Sequence, residues 1–168
     1  MDLKKIAAKA EGSTFYNWVM NRVLWRVVPF NKPHGFWVKN LNDRQTTIEI
    51  PYRKNNMNHL KGLHACGLAT AGEYASGLLL LYHLDPKQYR LIMRDIAVDY
   101  NYQGKMKALA QFDLAPETVE RQIKTPLKSA DSVDFHCEIP IKDVSGNLLC
   151  TVKTNWQIKS WDKAKVKA

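Results

Sequence analysis

The sequence predicts an α+β domain in which six antiparallel strands wrap one long central helix, with a further helix at the N-terminus. Three observations carry this. Residues 64–84 are a long run of small and apolar residues closed by Asp85 and Pro86, and a helix that is apolar on nearly all sides is a buried one. Elsewhere, runs of alternating apolar and polar residues recur between turn signals, the pattern of half-buried strands. A buried helix and half-buried strands hide apolar surface only by packing on one another.

The elements follow in order. Ser13 is placed to cap a first helix over 14–27, with Phe15, Trp18, Val19 and Val23 offered for burial. Pro29 and Pro33 break the chain, and strand-like runs follow at 35–39 and 45–51. The loop RKNNMNHLKG leads into the long helix. After it, 89–102 reads as a long strand that turns at Gly104 and returns over 105–114. Pro116 opens a short helical piece to about residue 124. The runs 132–142 and 148–159, joined by DVSGN, read as another hairpin, so the last four strands are expected as a meander.

At 168 residues, 45% apolar and 24% charged, the chain fits one globular domain over 1–168, with basic, flexible ends at 1–12 and 161–168. There is no apolar run near the length of a membrane span and no secretory leader pattern, so a cytoplasmic protein is expected. Cys66, Cys137 and Cys150 lie in separate segments, an odd number without a CxxC, which argues against a disulfide framework. The histidines show no metal-ligand spacing, so no metal is expected. Cys66 reads as a small residue packed in the first helical turn. The net charge of +9 favours anionic partners. No basic helix or stacking motif supports nucleic-acid binding.

The chemistry concentrates in NHLKGLHACGLATAGEYASG, residues 58–77. Glu73 is the one acid in a segment of small, apolar residues, and a buried carboxylate is costly. Its neighbours at three and four residues, Ala69, Thr70, Ser76 and Gly77, leave an open floor around it. His64 precedes Glu73 by nine residues. On an ideal helix that is about 900° of rotation and roughly 13 Å of rise. The two side chains then point to opposite faces, and a shared site requires a second copy of the chain, hence a two-fold dimer.

The element order and this helix resemble the hotdog fold, in which an antiparallel sheet wraps a central helix, and more specifically its acyl-CoA thioesterase branch. A polar Asn, a Gly, a His and an acid nine residues later map onto Asn58, Gly62, His64 and Glu73. LHACGLATAGEYASGLLL looks closer still to an uncharacterised thioesterase-like branch, a domain of unknown function in which Ala commonly follows the His. The order of elements covers roughly 15–160 and the motif about twenty residues. Ala65 and Cys66 stand where many relatives carry two glycines, and their side chains narrow the backbone approach.

The resemblance implies hydrolysis of an acyl-CoA or acyl-carrier-protein thioester at the seam of a homodimer, with a homotetramer as the alternative assembly. It implies no resident cofactor, coenzyme A being part of the substrate. Free N–H groups at the helix N-terminus, around Ala65, Cys66 and Gly67, would hold the oxyanion. Glu73 from the partner would activate water or attack directly, Asn58 would position water or carbonyl, and His64 would orient the loop. Lys54, Lys61, Arg90, Arg94, Lys105 and Lys107 are the candidates for coenzyme A phosphates. Two other functions fit the same residues: a hotdog hydratase or dehydratase, and a non-catalytic acyl-thioester binding module.

Overall fold

The computed structural model describes residues 2–163. Helix α1 (Leu3–Ala10) is capped by Asp2, whose carboxylate accepts from the Lys5 N–H at 3.1 Å. Ala7 and Ala10 are buried and α1 packs on α2 (Thr14–Val27). The expected flexible extension over 1–12 is therefore a docked helix: Leu3, Ile6, Ala7 and Ala10 make one apolar stripe, and the lysines stay outside it. Of the expected basic tail, Trp161–Lys163 form a 3-10 turn, with Lys163 Nζ donating to the Ala130 carbonyl at 3.0 Å. Residues 164–168 lie outside the described residues.

Ser13 does cap α2, accepting from the Tyr16 N–H at 3.3 Å. The buried face, however, is Met20, Asn21 and Leu24, while Phe15 and Trp18 remain 65% and 49% exposed. Asn21 explains the rotation. Its side chain accepts from the Val38 N–H at 2.7 Å and donates to the Val38 carbonyl at 3.0 Å. Val38 lies in β1 (Trp37–Leu41), a sheet-edge strand whose outer backbone groups need partners. Trp25 Nε1 donates to the Phe36 carbonyl and Trp37 Nε1 to Asn17 Oδ1, both at 2.9 Å, which locks the same orientation. Between the two elements lies the short helix α3 (Asn31–His34).

The remaining strands are β2 (Gln45–Ile50), β3 (Tyr89–Tyr100), β4 (Ala108–Asp113), β5 (Val133–Asp143) and β6 (Leu148–Ser160). They form one six-stranded antiparallel sheet in the order β1-β2-β4-β5-β6-β3. The expected hairpin β5–β6 is present, but β3 and β4 do not pair. They are the arms of a wide hairpin that receives β5–β6 between them. Residues 101–107 cross three strand spacings, about 14 Å, held by the Leu149 carbonyl, which accepts from Asn101 and Tyr102, and by the Gly104 carbonyl, which accepts from Leu63. After β4, the broken helical segment α5 (Pro116–Val119), a π-turn (Glu120–Lys124) and α6 (Thr125–Leu127) bury Val119, Ile123 and Leu127.

Helix α4 (Ala65–His83) is 19 residues long and touches β2, β3, β4, β5 and β6. Ala71, Ala75, Leu79 and Leu80 are fully enclosed. Small residues set how close helix and sheet come. A Cβ at Gly72 would lie 2.5 Å from Val152 Cβ, and one at Gly77 2.9 Å from the Trp156 ring. Ser76 Oγ accepts from Trp156 Nε1 at 3.1 Å and pairs with Thr154 Oγ1 at 3.2 Å.

Candidate functional site

The N-terminal turn of α4 opens on a cleft of about 250 Å³ lined by Phe30, His34 and Phe36, by Asn55, Asn56 and Met57, and by His64, Cys66, Gly67 and Thr70. Its wall is built by α3 and a 3-10 turn (Lys54–Asn56). Asn56 ties them together: its Nδ2 donates to the carbonyls of His34 and Pro51, and its Oδ1 faces His34 Nδ1 at 3.1 Å. The Asn56 carbonyl accepts from the His64 N–H at 2.8 Å, anchoring the start of α4.

His64 is the N-cap of α4, and its Nδ1 accepts from the Cys66 N–H at 3.1 Å. A neutral ring bonded this way keeps its proton on Nε2, leaving one N–H donor. The cap bond also takes Cys66 out of the expected trio of oxyanion donors. Among the described residues the Ala65 and Gly67 N–H groups have no partner, and of these only Gly67 lines the cleft. Cys66 is exposed in the cleft wall rather than packed, because it lies on the helix face turned from the sheet. Asn58, expected in the site, is occupied elsewhere. Its Oδ1 accepts from the N–H groups of Leu60 and Gly62, closing a tight turn in which Lys61 takes φ +58°, and it does not line the cleft.

Cys66, Thr70, Glu73, Gly77 and Leu81 recur at helical spacing and form one stripe along α4. The Glu73 carboxylate lies on it, 3.8 Å from where a Cβ of Gly77 would be. Neither neighbouring hydroxyl reaches that carboxylate: Thr70 Oγ1 donates to the Cys66 carbonyl, and Ser76 Oγ to the backbone carbonyl of Glu73. Among the described residues it has no hydrogen bond and no ion pair. Burial pushes its pKa above the ordinary carboxylate value. His64 stands outside the helix, in extended backbone, and turns its ring onto the first turn. The opposite-face argument for keeping His64 and Glu73 apart therefore fails; what separates them is the rise of the helix, about 13 Å.

Beside the stripe runs β3, the other edge of the sheet. Ile96 and Tyr100 pair with Thr154 and Cys150 on its helix side and are 38% and 52% exposed, as is Leu81 at 38%. Tyr100 Oη donates to the Ala65 carbonyl at 3.0 Å. The basic candidates divide. Arg94 is held by Asp134 at 2.7 Å and Lys107 by Glu49 at 3.4 Å. Lys54 and Lys61 are exposed on the loop before α4, and these two, with Arg90 and Lys105, have no ion pair among the described residues.

Sequence reasoning missed Phe30, His34, Phe36, Asn56 and Met57. The run of three asparagines at 55, 56 and 58 was the available signal, but which one is buried depends on α3 folding back over the loop.

A domain of unknown function, DUF4442, matches residues 16–158. Among solved structures, a Pseudomonas aeruginosa protein of unknown function described as "Probable Thioesterase" superposes with a TM-score of 0.78 at 19% identity, over 83% of this chain and 93% of that one. A thioesterase mutant from Staphylococcus aureus gives 0.63 at 14% identity, over 78% and 98%. A thioesterase from Haemophilus influenzae gives 0.62 at 12%, over 78% and 82%. These neighbours are thioesterase-like hotdog proteins, and the likeness shows that this sheet and its helices have their fold. No curated protein matches.

Proposed function

The chain belongs to the DUF4442 family, and from that premise we propose that it hydrolyses acyl thioesters, of coenzyme A or an acyl-carrier protein, at a site shared by two copies. The observation that carries this reading is Glu73: a half-buried carboxylate with no partner among the described residues, on the helix stripe that begins in the cleft. Such a group is expensive to keep unless it acts on something.

The thioester carbonyl oxygen accepts from the Gly67 N–H at the positive end of α4 and from the Nε2–H of His64. The raised pKa makes Glu73 a stronger base than an exposed carboxylate. It takes a proton from water as the water oxygen bonds to the carbonyl carbon, then returns that proton to the departing thiolate as the carbon–sulfur bond breaks. Within one chain, Glu73 lies about 9 Å along the helix from Gly67, too far for both to meet one carbonyl. A second copy paired along β3 would supply the acid and cover Ile96, Tyr100 and Leu81. The acyl group enters the apolar cleft, whose 250 Å³ suits an acyl end rather than a whole cofactor. Lys54 and Lys61 are placed for the phosphates.

The test is thiol release from a panel of acyl-CoA substrates by wild type and Glu73→Gln, with the oligomeric mass measured on both. The expected result is turnover lost by about a hundredfold or more in a variant that stays folded and dimeric. Wild-type turnover in Glu73→Gln refutes the role. A change in enoyl absorbance without thiol release favours a hydratase instead.

A further inference from the structure

Residues 12–42 contain no aspartate or glutamate, yet they include Arg22, Arg26, Lys32 and Lys39, all exposed. The same segment holds the face of α2 that the fold leaves outside. There Phe15 stacks on Trp18 with centroids 6.4 Å apart, and the Arg22 guanidinium lies 5.5 Å from the Trp18 ring and 5.7 Å from the Trp25 ring. Lys9 of α1 extends the series over Tyr16 at 5.9 Å. Val27, the last residue of α2, and Phe30 just beyond it are 59% and 62% exposed. We propose that this aromatic and basic face docks the protein on an anionic bilayer surface.

The chemistry of the face selects that partner. Rings with cations beside them suit the headgroup level, where an apolar body meets a charged surround. A second copy of the chain is disfavoured as occupant of this face, since residues 12–42 offer no acid to the arginines of another copy. Nucleic acid would use the arginines and rings but gains nothing from the exposed valines at 27 and 28. An anionic lipid surface uses both, through electrostatic attraction and burial of apolar groups. Because Asn21 clamps the opposite face to β1, α2 can present these residues without unfolding. The inference does not depend on the hydrolase reading, although Phe30 also lines the cleft and docking would set its mouth beside the lipid.

The test is cosedimentation of the full chain with phosphatidylcholine vesicles, with and without phosphatidylglycerol, at low and high salt. The expected result is pelleting that requires phosphatidylglycerol and weakens with salt. Arg22→Gln combined with Arg26→Gln should bind about thirtyfold more weakly, at about 1 kcal/mol per arginine. Phe15→Ala combined with Trp18→Ala should lose retention while circular dichroism stays unchanged. No pelleting, equal pelleting on neutral vesicles, or undiminished binding by either double variant overturns the proposal. So does an aromatic variant whose only change is in oligomeric mass.

Discussion

Gly72→Ala tests how tightly α4 is seated on the sheet. The added Cβ would lie 2.5 Å from Val152 Cβ, 2.6 Å from its Cγ2 and 2.7 Å from its Cγ1. Rotating Val152 about χ1 moves the γ-methyls but leaves Cβ in place, so no rotamer relieves the shortest contact. Val152 is fully buried and paired with Ile139 and Val98, so retreat would drag two neighbouring strands. Alanine gains about 1 kcal/mol in helix propensity over glycine. Overpacking at a site that cannot relax costs the upper end of its range, about 3 kcal/mol. The net expectation is a loss of about 2 kcal/mol, which at a urea m-value of about 2 kcal/mol/M lowers the midpoint by about 1 M. Gly67→Ala, on the same helix with nothing within 4 Å of its Cβ, should lose no stability and serves as the matched control. Val152→Ala in the Gly72→Ala background should rescue only partly, because the Cβ contact survives. Urea unfolding followed by circular dichroism decides it. A Gly72→Ala protein as stable as wild type, with unchanged slope, would refute the argument.

Three further outcomes follow from the same structure. Burial pushes the Cys137 and Cys150 thiols up to about 12, whereas Cys66 is exposed in the cleft. A thiol reagent at mild alkaline pH should therefore modify one cysteine in the native protein, all three after denaturation, and the single modification should block turnover; fast reaction at two or more native sites contradicts this. Because the folded pKa of Glu73 is raised, its stabilising contribution is full below the unfolded carboxylate value and is lost as pH rises through the folded one. Glu73→Gln should thus melt above wild type near neutral pH, with the gap closing on acidification; a gap that widens toward acid contradicts the sign. Asn21→Ala removes both bonds to Val38 and should cost about 3 kcal/mol, with faster amide exchange at Val38; unchanged exchange there would count against the tether.

Alternation and turn residues sufficed to locate all six strands to within a few residues, because side-chain period is a local property. Pairing is not local. Gly104 looked like a hairpin turn, yet the partner of β3 lies beyond two intervening strands, and only the fit of β5–β6 between the arms decides that. The buried face of α2 was misjudged for a related reason. Phe15 and Trp18 are large and apolar, but the face that docks carries Met20, Leu24 and Asn21, and the Asn21 side chain pairs with the backbone of the edge strand. In the site, the Glu73 stripe was legible as a lone acid among small residues. Neither the cap bond that uses the Cys66 N–H nor the choice of Asn56 over Asn58 could be read, since each turns on where one loop folds against another.

The wide hairpin also orders events during synthesis. Until residues 133–160 have left the ribosome, β3 has no neighbour, β4 has only β2, and α4 lacks the β6 residues Val152 and Trp156 against which Gly72 and Gly77 are seated. The C-terminal hairpin is thus the keystone inserted last into a frame already made, and a nascent chain stalled before it would expose its most apolar helix to whatever chaperone is nearest.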